Sequence, residues 1–162
     1  MRTLRRCAWL SLALGACGTQ PSGPAAGVAV ELAGGPNPGR YQNVNSFPTC
    51  SRGLVGQGSW AVQYSDWTGP TSGLRSLQLV VPAVEHPDDF YLGMVFGDFF
   101  AGTVHEIETR ATAPAPRGHG TVIVRPMGHG TVVMVTGETQ SAVAISATIT
   151  CQTPDSTEGT VP

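Results

Sequence analysis

The sequence predicts an all-β domain: an antiparallel β-sandwich, or a partly open barrel, of about eight or nine short strands with one disulfide. Three observations lead there. Apolar residues alternate with small or polar ones in segment after segment, the pattern of a half-buried strand. No window repeats at the helical period of about 3.6, and 21 glycines with 13 prolines would break any long helix. Two cysteines, Cys50 and Cys151, lie within the patterned region.

The elements follow in chain order. Val28, Val30 and Leu32 mark the first strand, and Tyr41 to Val44 adds a short one. Trp60, Val62 and Tyr64 alternate, as do Leu77, Leu79 and Val81. Phe90 to Phe96 and Thr103 to Thr109 are strand-like. In the latter, His105 and Ile107 share one face, while Glu106, Glu108 and Arg110 share a solvated one. Val122 and Val124 alternate within TVIVR, and Thr131 to Thr136 is rich in β-branched residues. With a turn near Met127 to His129, these two form a hairpin whose Val122, Val124, Val132 and Met134 fall on one core face. Val143, Ile145, Ala147 and Ile149 lead into Cys151.

The ends differ in character. In MRTLRRCAWLSLALGAC, Arg2, Arg5 and Arg6 precede an apolar run from Cys7 to Leu14. The run is shorter than the roughly 20 residues that span a bilayer, and its charged start and small-residue end are those of a secretory signal. The Arg5-Arg6 pair fits twin-arginine export poorly, which favours the general pathway. Leu14-Gly15-Ala16-Cys17 resembles the lipobox of bacterial lipoproteins, in which leucine and two small residues precede an invariant cysteine. That resemblance implies lipidation of Cys17 after cleavage at Ala16. The protein is then exported and lipid-anchored to the bacterial cell membrane or outer membrane. One acyl chain binds only reversibly, at about 0.8 kcal/mol per buried methylene, so stable anchoring takes at least two. Plain secretion and a buried first element are the other readings of this segment.

The organisation is then residues 1–16 as signal, 17–26 as lipidated cysteine and flexible linker, 27–151 as the domain, and 152–162 as a disordered polar tail. Loss of the signal leaves six arginines against eleven carboxylates, a charge near −5, with no lysine anywhere. Such a surface argues against nucleic acid and anionic lipid as partners. Cys7 leaves with the signal and Cys17 carries the lipid. Cys50 and Cys151 remain and pair by elimination in an oxidising compartment; two free thiols are the alternative. No CxxC or Cys/His cluster calls for a metal or redox role.

Candidate chemistry is sparse. Gly118-His119-Gly120-Thr121-Val122 recurs as Gly128-His129-Gly130-Thr131-Val132, but a hairpin separates the two histidines by about 20 Å or more, too far for one ion. Glu85-His86-Pro87-Asp88-Asp89 lacks the oxygen spacing of calcium loops. Ser59 in GQGSW does not match a nucleophile elbow. Neither catalytic residues nor a cofactor or metal is expected. The candidate binding surface is aromatic. Trp67 precedes a turn-like Thr-Gly-Pro-Thr-Ser-Gly, and consecutive Phe99 and Phe100 point to opposite faces, exposing one. An exposed aromatic patch would take a glycan or a protein.

Several segments together resemble the mycobacterial secreted lipoprotein antigen family (the LpqH type). They are GVAVELAG, Cys50, LRSLQLVVPAVEHPDDFYLGMV, GTVIVRPMGHGTVVMVTGET and AVAISATITC, spanning roughly residues 27 to 151. The turn histidines and prolines and the extra aromatics depart from that family. The resemblance implies a non-enzymatic, surface-exposed, immunogenic lipoprotein. The expected role is therefore a non-catalytic envelope lipoprotein that presents a β-sandwich for binding, adhesion or host contact. The alternative is a periplasmic inhibitor of an envelope hydrolase such as lysozyme, with Glu85 to Asp89 as the plugging loop.

Overall fold

A computed structural model describes residues 27–43, 47–69 and 73–152. The readings of residues 1–16, of Cys17 and the linker, of Val44 and of the tail beyond Gln152 lie outside the described residues.

Ten strands occur among the described residues: β1 (Gly27–Ala33), β2 (Gly39–Asn43), β3 (Thr49–Arg52), β4 (Trp60–Ser65), β5 (Leu74–Val81), β6 (Tyr91–Phe96), β7 (Thr103–Glu108), β8 (His119–Met127), β9 (Gly130–Glu138) and β10 (Ala144–Gln152). They form two five-stranded sheets, ordered β2-β1-β10-β9-β8 and β3-β4-β5-β6-β7, with every neighbouring pair antiparallel. The result is a β-sandwich, not a closed barrel. The strand missed by the sequence reading is β3, TCSR, which carries no apolar alternation and is held by pairing Cys50 with Val62.

Each sheet buries the face that alternation picks out. Val28, Val30 and Leu32 pair with Ile149, Ala147 and Ile145, and all six are buried. On the facing sheet, Val62 and Tyr64 pair with Leu79 and Leu77, which pair with Leu92 and Met94. These are at most 1% exposed, and the two faces share one apolar core.

The sheets meet crosswise. β2 touches β6 through Tyr41 and Phe96, whose rings are 4.7 Å apart, and β4 through the Asn43 amide, 2.8 Å from the Tyr64 hydroxyl. β10 starts beside β7, where Thr139 and Ser141 share a groove with His105, and ends at β3, where Cys151 is bonded to Cys50. Four strand spacings of about 4.8 Å separate β7 from β3, and the seven steps from Ala144 to Cys151, at about 3.4 Å each, are long enough to cross them. Strands of one sheet therefore run across those of the other, as in orthogonal packing.

Two expectations are corrected. The β8–β9 turn has two residues, Gly128 and His129, joining Met127 to Gly130. Gly128 takes φ +58°, the first position of a primed hairpin turn. An even-length turn shifts the register by one, so Val122 and Val124 face the core with Val135 and Val133 rather than with Val132 and Met134. Val132 pairs with Arg125 and Met134 with Ile123 on the other face, where Val132 is nonetheless buried, at 6% exposure, though outside the cluster between the sheets. Second, the outer face of β7 is not simply solvated. Glu108 is 4% exposed, because Arg117 bridges to its backbone and Arg110 forks onto its carboxylate at 2.8 and 2.6 Å. Arg110 first, and then its N–H, outweigh burial and hold the Glu108 carboxyl below its ordinary range.

The Cys50–Cys151 disulfide joins an edge strand of one sheet to the central strand of the other, with Cα atoms 6.0 Å apart and a sequence separation of 101. A loop of that length corresponds to about 4.7 kcal/mol in the chain-entropy model. The Cys50→Ala, Cys151→Ala double variant should lose about 3–5 kcal/mol in denaturant unfolding relative to the oxidised protein. An unchanged urea midpoint would show that the bridge does not constrain the unfolded chain.

Candidate functional site

Four strands of one sheet place two loops side by side. β4 ends at Ser65 and β5 starts at Leu74; β6 ends at Phe96 and β7 starts at Thr103. The first loop carries Asp66 and Trp67, and the second carries Asp98, Phe99 and Phe100.

Asp66 shapes the first loop. Its Oδ1 accepts from the Thr68 N–H at 3.0 Å and the Gly69 N–H at 2.8 Å, and its Oδ2 accepts from the Asn43 amide at 2.8 Å. Burial opposes its ionisation. The Gly69 and Thr68 N–H groups, the Thr68 hydroxyl and the Arg75 charge outweigh that and keep the carboxyl below its usual range. Asp98 repeats the device in the second loop, accepting from the Phe100 and Ala101 N–H groups at 2.8 and 3.0 Å. Both are Asx-type turns. Gly102 closes the second loop, where a methyl group would collide with the Phe96 and Asp98 carbonyl oxygens.

Arg75 ties the loops together. Arg75 lies at a register shift between Leu74 and Ser76 at the start of β5 and is 8% exposed. Its Nε donates to the Gly97 carbonyl at 2.9 Å, and its Nη1 donates to the Asp66 and Gly69 carbonyls at 3.2 and 2.8 Å. One guanidinium thus engages both loops, and it also lies 5.6 Å from the Phe99 ring centre.

On this base two of the three predicted aromatics stack, and the third, Phe100, follows Phe99 in the same loop. Trp67 stacks on Phe99 with centroids 4.0 Å apart and planes 22° from parallel. Trp67 is nevertheless 72% exposed, Phe99 is half-buried, and Phe100 is 96% exposed. A flat, rigid aromatic face turned to solvent can stack against the apolar face of a sugar ring, pack on a protein, or enter a lipid interface. Beside it, Tyr41, Asn43, Tyr64, Asp66 and Leu74 line a cleft of about 240 Å³. Burial raises the Tyr64 hydroxyl pKa, partly offset by the Asn43 hydrogen bond.

The histidines are dispersed. His119 opens β8 and His129 sits in its turn, at opposite ends of one hairpin, and His86 is exposed in the β5–β6 loop. His105 faces the core, 3% exposed, with Phe96 edge-on at 5.5 Å and no partner for its Nε2. Among the described residues no three His, Cys, Asp or Glu side chains gather as metal ligands would. Ser59 is buried, and its hydroxyl holds the β3–β4 loop by accepting the Val55 N–H at 3.1 Å. The Glu85–Asp89 loop is folded into turns and strapped to β8 by the Val122 N–H on the Pro87 carbonyl at 2.7 Å. Sequence reading missed Asn43, Asp66 and Arg75. The Asp-x-Thr-Gly string at residues 66–69 was the available signal for the turn; nothing local marks Arg75. No family model, curated protein or solved structure matches the chain.

Removing the Arg75 head group should strip three backbone carbonyls of their donor. Arg75→Met is expected to cost about 3 kcal/mol, the scale of hydrogen bonds to a charged group, and to weaken the near-ultraviolet circular dichroism from the Trp67–Phe99 stack. His105 yields a pH test. Burial holds its pKa below the ordinary value, against a smaller opposing contribution from the Pro36 backbone. The unfolded chain takes up that proton near pH 6.5 while the folded one resists it, so stability falls as pH drops below about 6.5. The loss is at most about 1.4 kcal/mol per pH unit. Urea midpoints between about pH 7.5 and 5 should show this slope in the parent and a flatter one in His105→Leu.

Proposed function

We propose that this chain is an exported lipoprotein, acylated at Cys17, whose β-sandwich is a non-catalytic contact module of the cell envelope, used in binding, adhesion or host contact. The observation that carries the reading is the Cys50–Cys151 disulfide. It suits an oxidising compartment and occupies both cysteines of the domain. Since Cys7 belongs to the leader, Cys17 is then the one cysteine left for a lipid. The lipobox resemblance and the β frame of the antigen family it resembles favour the same role. The contact surface is the aromatic end, because Trp67 and Phe100 are exposed on loops that Asp66, Asp98 and Arg75 hold rigid. A hydrolase inhibitor acting through Glu85 to Asp89 is less favoured, since Pro87 is strapped to β8 and the loop does not stand free.

Intact mass of the membrane-extracted protein should show a mature chain starting at diacylated Cys17. Cys17→Ser should move the protein from membrane to soluble fractions. A parent protein that fractionates as soluble, with an unmodified first residue, would remove the anchoring reading. Turnover of any ester, glycoside or peptide by the purified mature chain would remove the non-catalytic one.

A further inference from the structure

The exposed aromatic side chains are gathered at one end of the sandwich. Trp67 and Phe100 stand on the two loops described above. Phe47, 62% exposed, lies two positions before Thr49, which pairs with Gln63 near the same end of β4. These three are the only Phe or Trp side chains among the described residues with large exposure. The other pole is of a different kind. There Leu54, Val55 and Val84 are exposed aliphatics, and Glu85, Asp88 and Asp89 make it acidic.

The chain also enters the domain at the aromatic end. Val28 pairs with Asn43, and the Asn43 amide reaches the Asp66 carboxylate, the residue before Trp67, at 2.8 Å. Gly27, at the start of β1, is therefore beside the aromatic loops. Ten residue steps connect Cys17 to Gly27 and span at most about 35 Å.

We propose that Phe47, Trp67, Phe99 and Phe100 seat the aromatic end on the membrane interface next to the lipid on Cys17, fixing the domain upright with its acidic pole facing away. The proposal rests on the anchoring reading above and names the partner of that same surface as a lipid bilayer. Tryptophan and phenylalanine favour the headgroup level. The Asp98 carboxylate, ionised and held by the Phe100 and Ala101 N–H groups, keeps the docking shallow. A mature charge near −5 means that aromatic burial, not attraction to anionic lipid, supplies the contact, so added salt should not weaken it.

The experiment supplies the tether chemically, which separates this proposal from native processing. The chain from residue 17 is coupled through the Cys17 thiol to a maleimide lipid in phosphatidylcholine vesicles, Cys50 and Cys151 being disulfide-bonded. It contains two tryptophans, Trp67 and the buried Trp60 at the far end of β4. Phosphatidylcholine brominated high in its acyl chain should quench the parent roughly twofold more than Trp67→Phe, which reports Trp60 alone. Aqueous iodide should quench the tethered parent less than the same chain free in solution. Phe100→Ser, a change at a solvent-exposed position, should reduce the bromolipid effect, and Leu54→Ser at the opposite pole should not. Trp67 emission that stays open to iodide and blind to bromolipid on tethered vesicles would overturn the proposal while leaving anchoring intact. So would emission that responds to an added oligosaccharide but not to bromolipid. An unacylated native N-terminus would instead overturn anchoring, with the tethered result still judging the surface.

Discussion

Everything in this domain depends on two apolar sheet faces meeting crosswise. Alternating residues of the strands point inward, and the opposed sets from β1, β10, β9 and β8 and from β4, β5, β6 and β7 form one cluster of buried apolar side chains. Crossing brings the end of β10 over β3, where the disulfide can form, and the start of β10 over β7, where His105 is shut in. It also brings β2 across β6 and β4, so that Tyr41 and Asn43 complete the core margin at the end that bears the aromatic loops. A barrel closure is not needed to protect the edges. β7 is covered by the Arg117 bridge and its ion pairs, and β3 is pinned by the disulfide.

The polar groups inside this frame are few and are answered by backbone. Arg75 is charged and nearly buried, a costly placement unless its donors are used. Its guanidinium donates to main-chain carbonyls of the two loops, those of Asp66, Gly69 and Gly97. The same charge supports the Phe99 ring and favours ionised Asp66. Rigid loops lose little freedom when they meet a partner, so an aromatic face built on them is suited to contact. Glu108 and Arg110 solve the burial problem differently, by pairing side chain to side chain in a fork at the opposite end of β7.

Legibility in the sequence followed the strength of local pattern. Where β-branched or aliphatic residues alternate cleanly, as in Val28-Val30-Leu32 or Ile145-Ala147-Ile149, both the strand and its buried face were readable. Thr49 to Arg52 shows no apolar alternation and is held as a strand by pairing with β4 and by the Cys50 disulfide. The β8–β9 hairpin and the core face of β8 were recognised, but the core face of β9 was not, because one residue more or less in the turn exchanges core and surface and both registers look alike in a run of valines. Of the candidate site, Trp67, Phe99 and Phe100 were visible as aromatics in turn-like contexts. Their stacking was not, since it joins loops 32 residues apart across β5. Arg75 was invisible for a related reason: the carbonyls it holds belong to two separate loops, and alternation along β5 says nothing about them.

By itself the sequence determined the class of the fold, the inward face of most strands and the identity of the bonded cysteines, because each follows from local periodicity or from a small count. It also carries the lipobox-like start from which the anchoring proposal is drawn. The tertiary structure alone decided the crossing of the sheets, the register of the last hairpin, the burial of Arg75 and Glu108, and which aromatics face solvent. Those depend on which surface each element finds opposite it, an energy of contacts between distant residues to which no stretch of neighbouring side chains gives access.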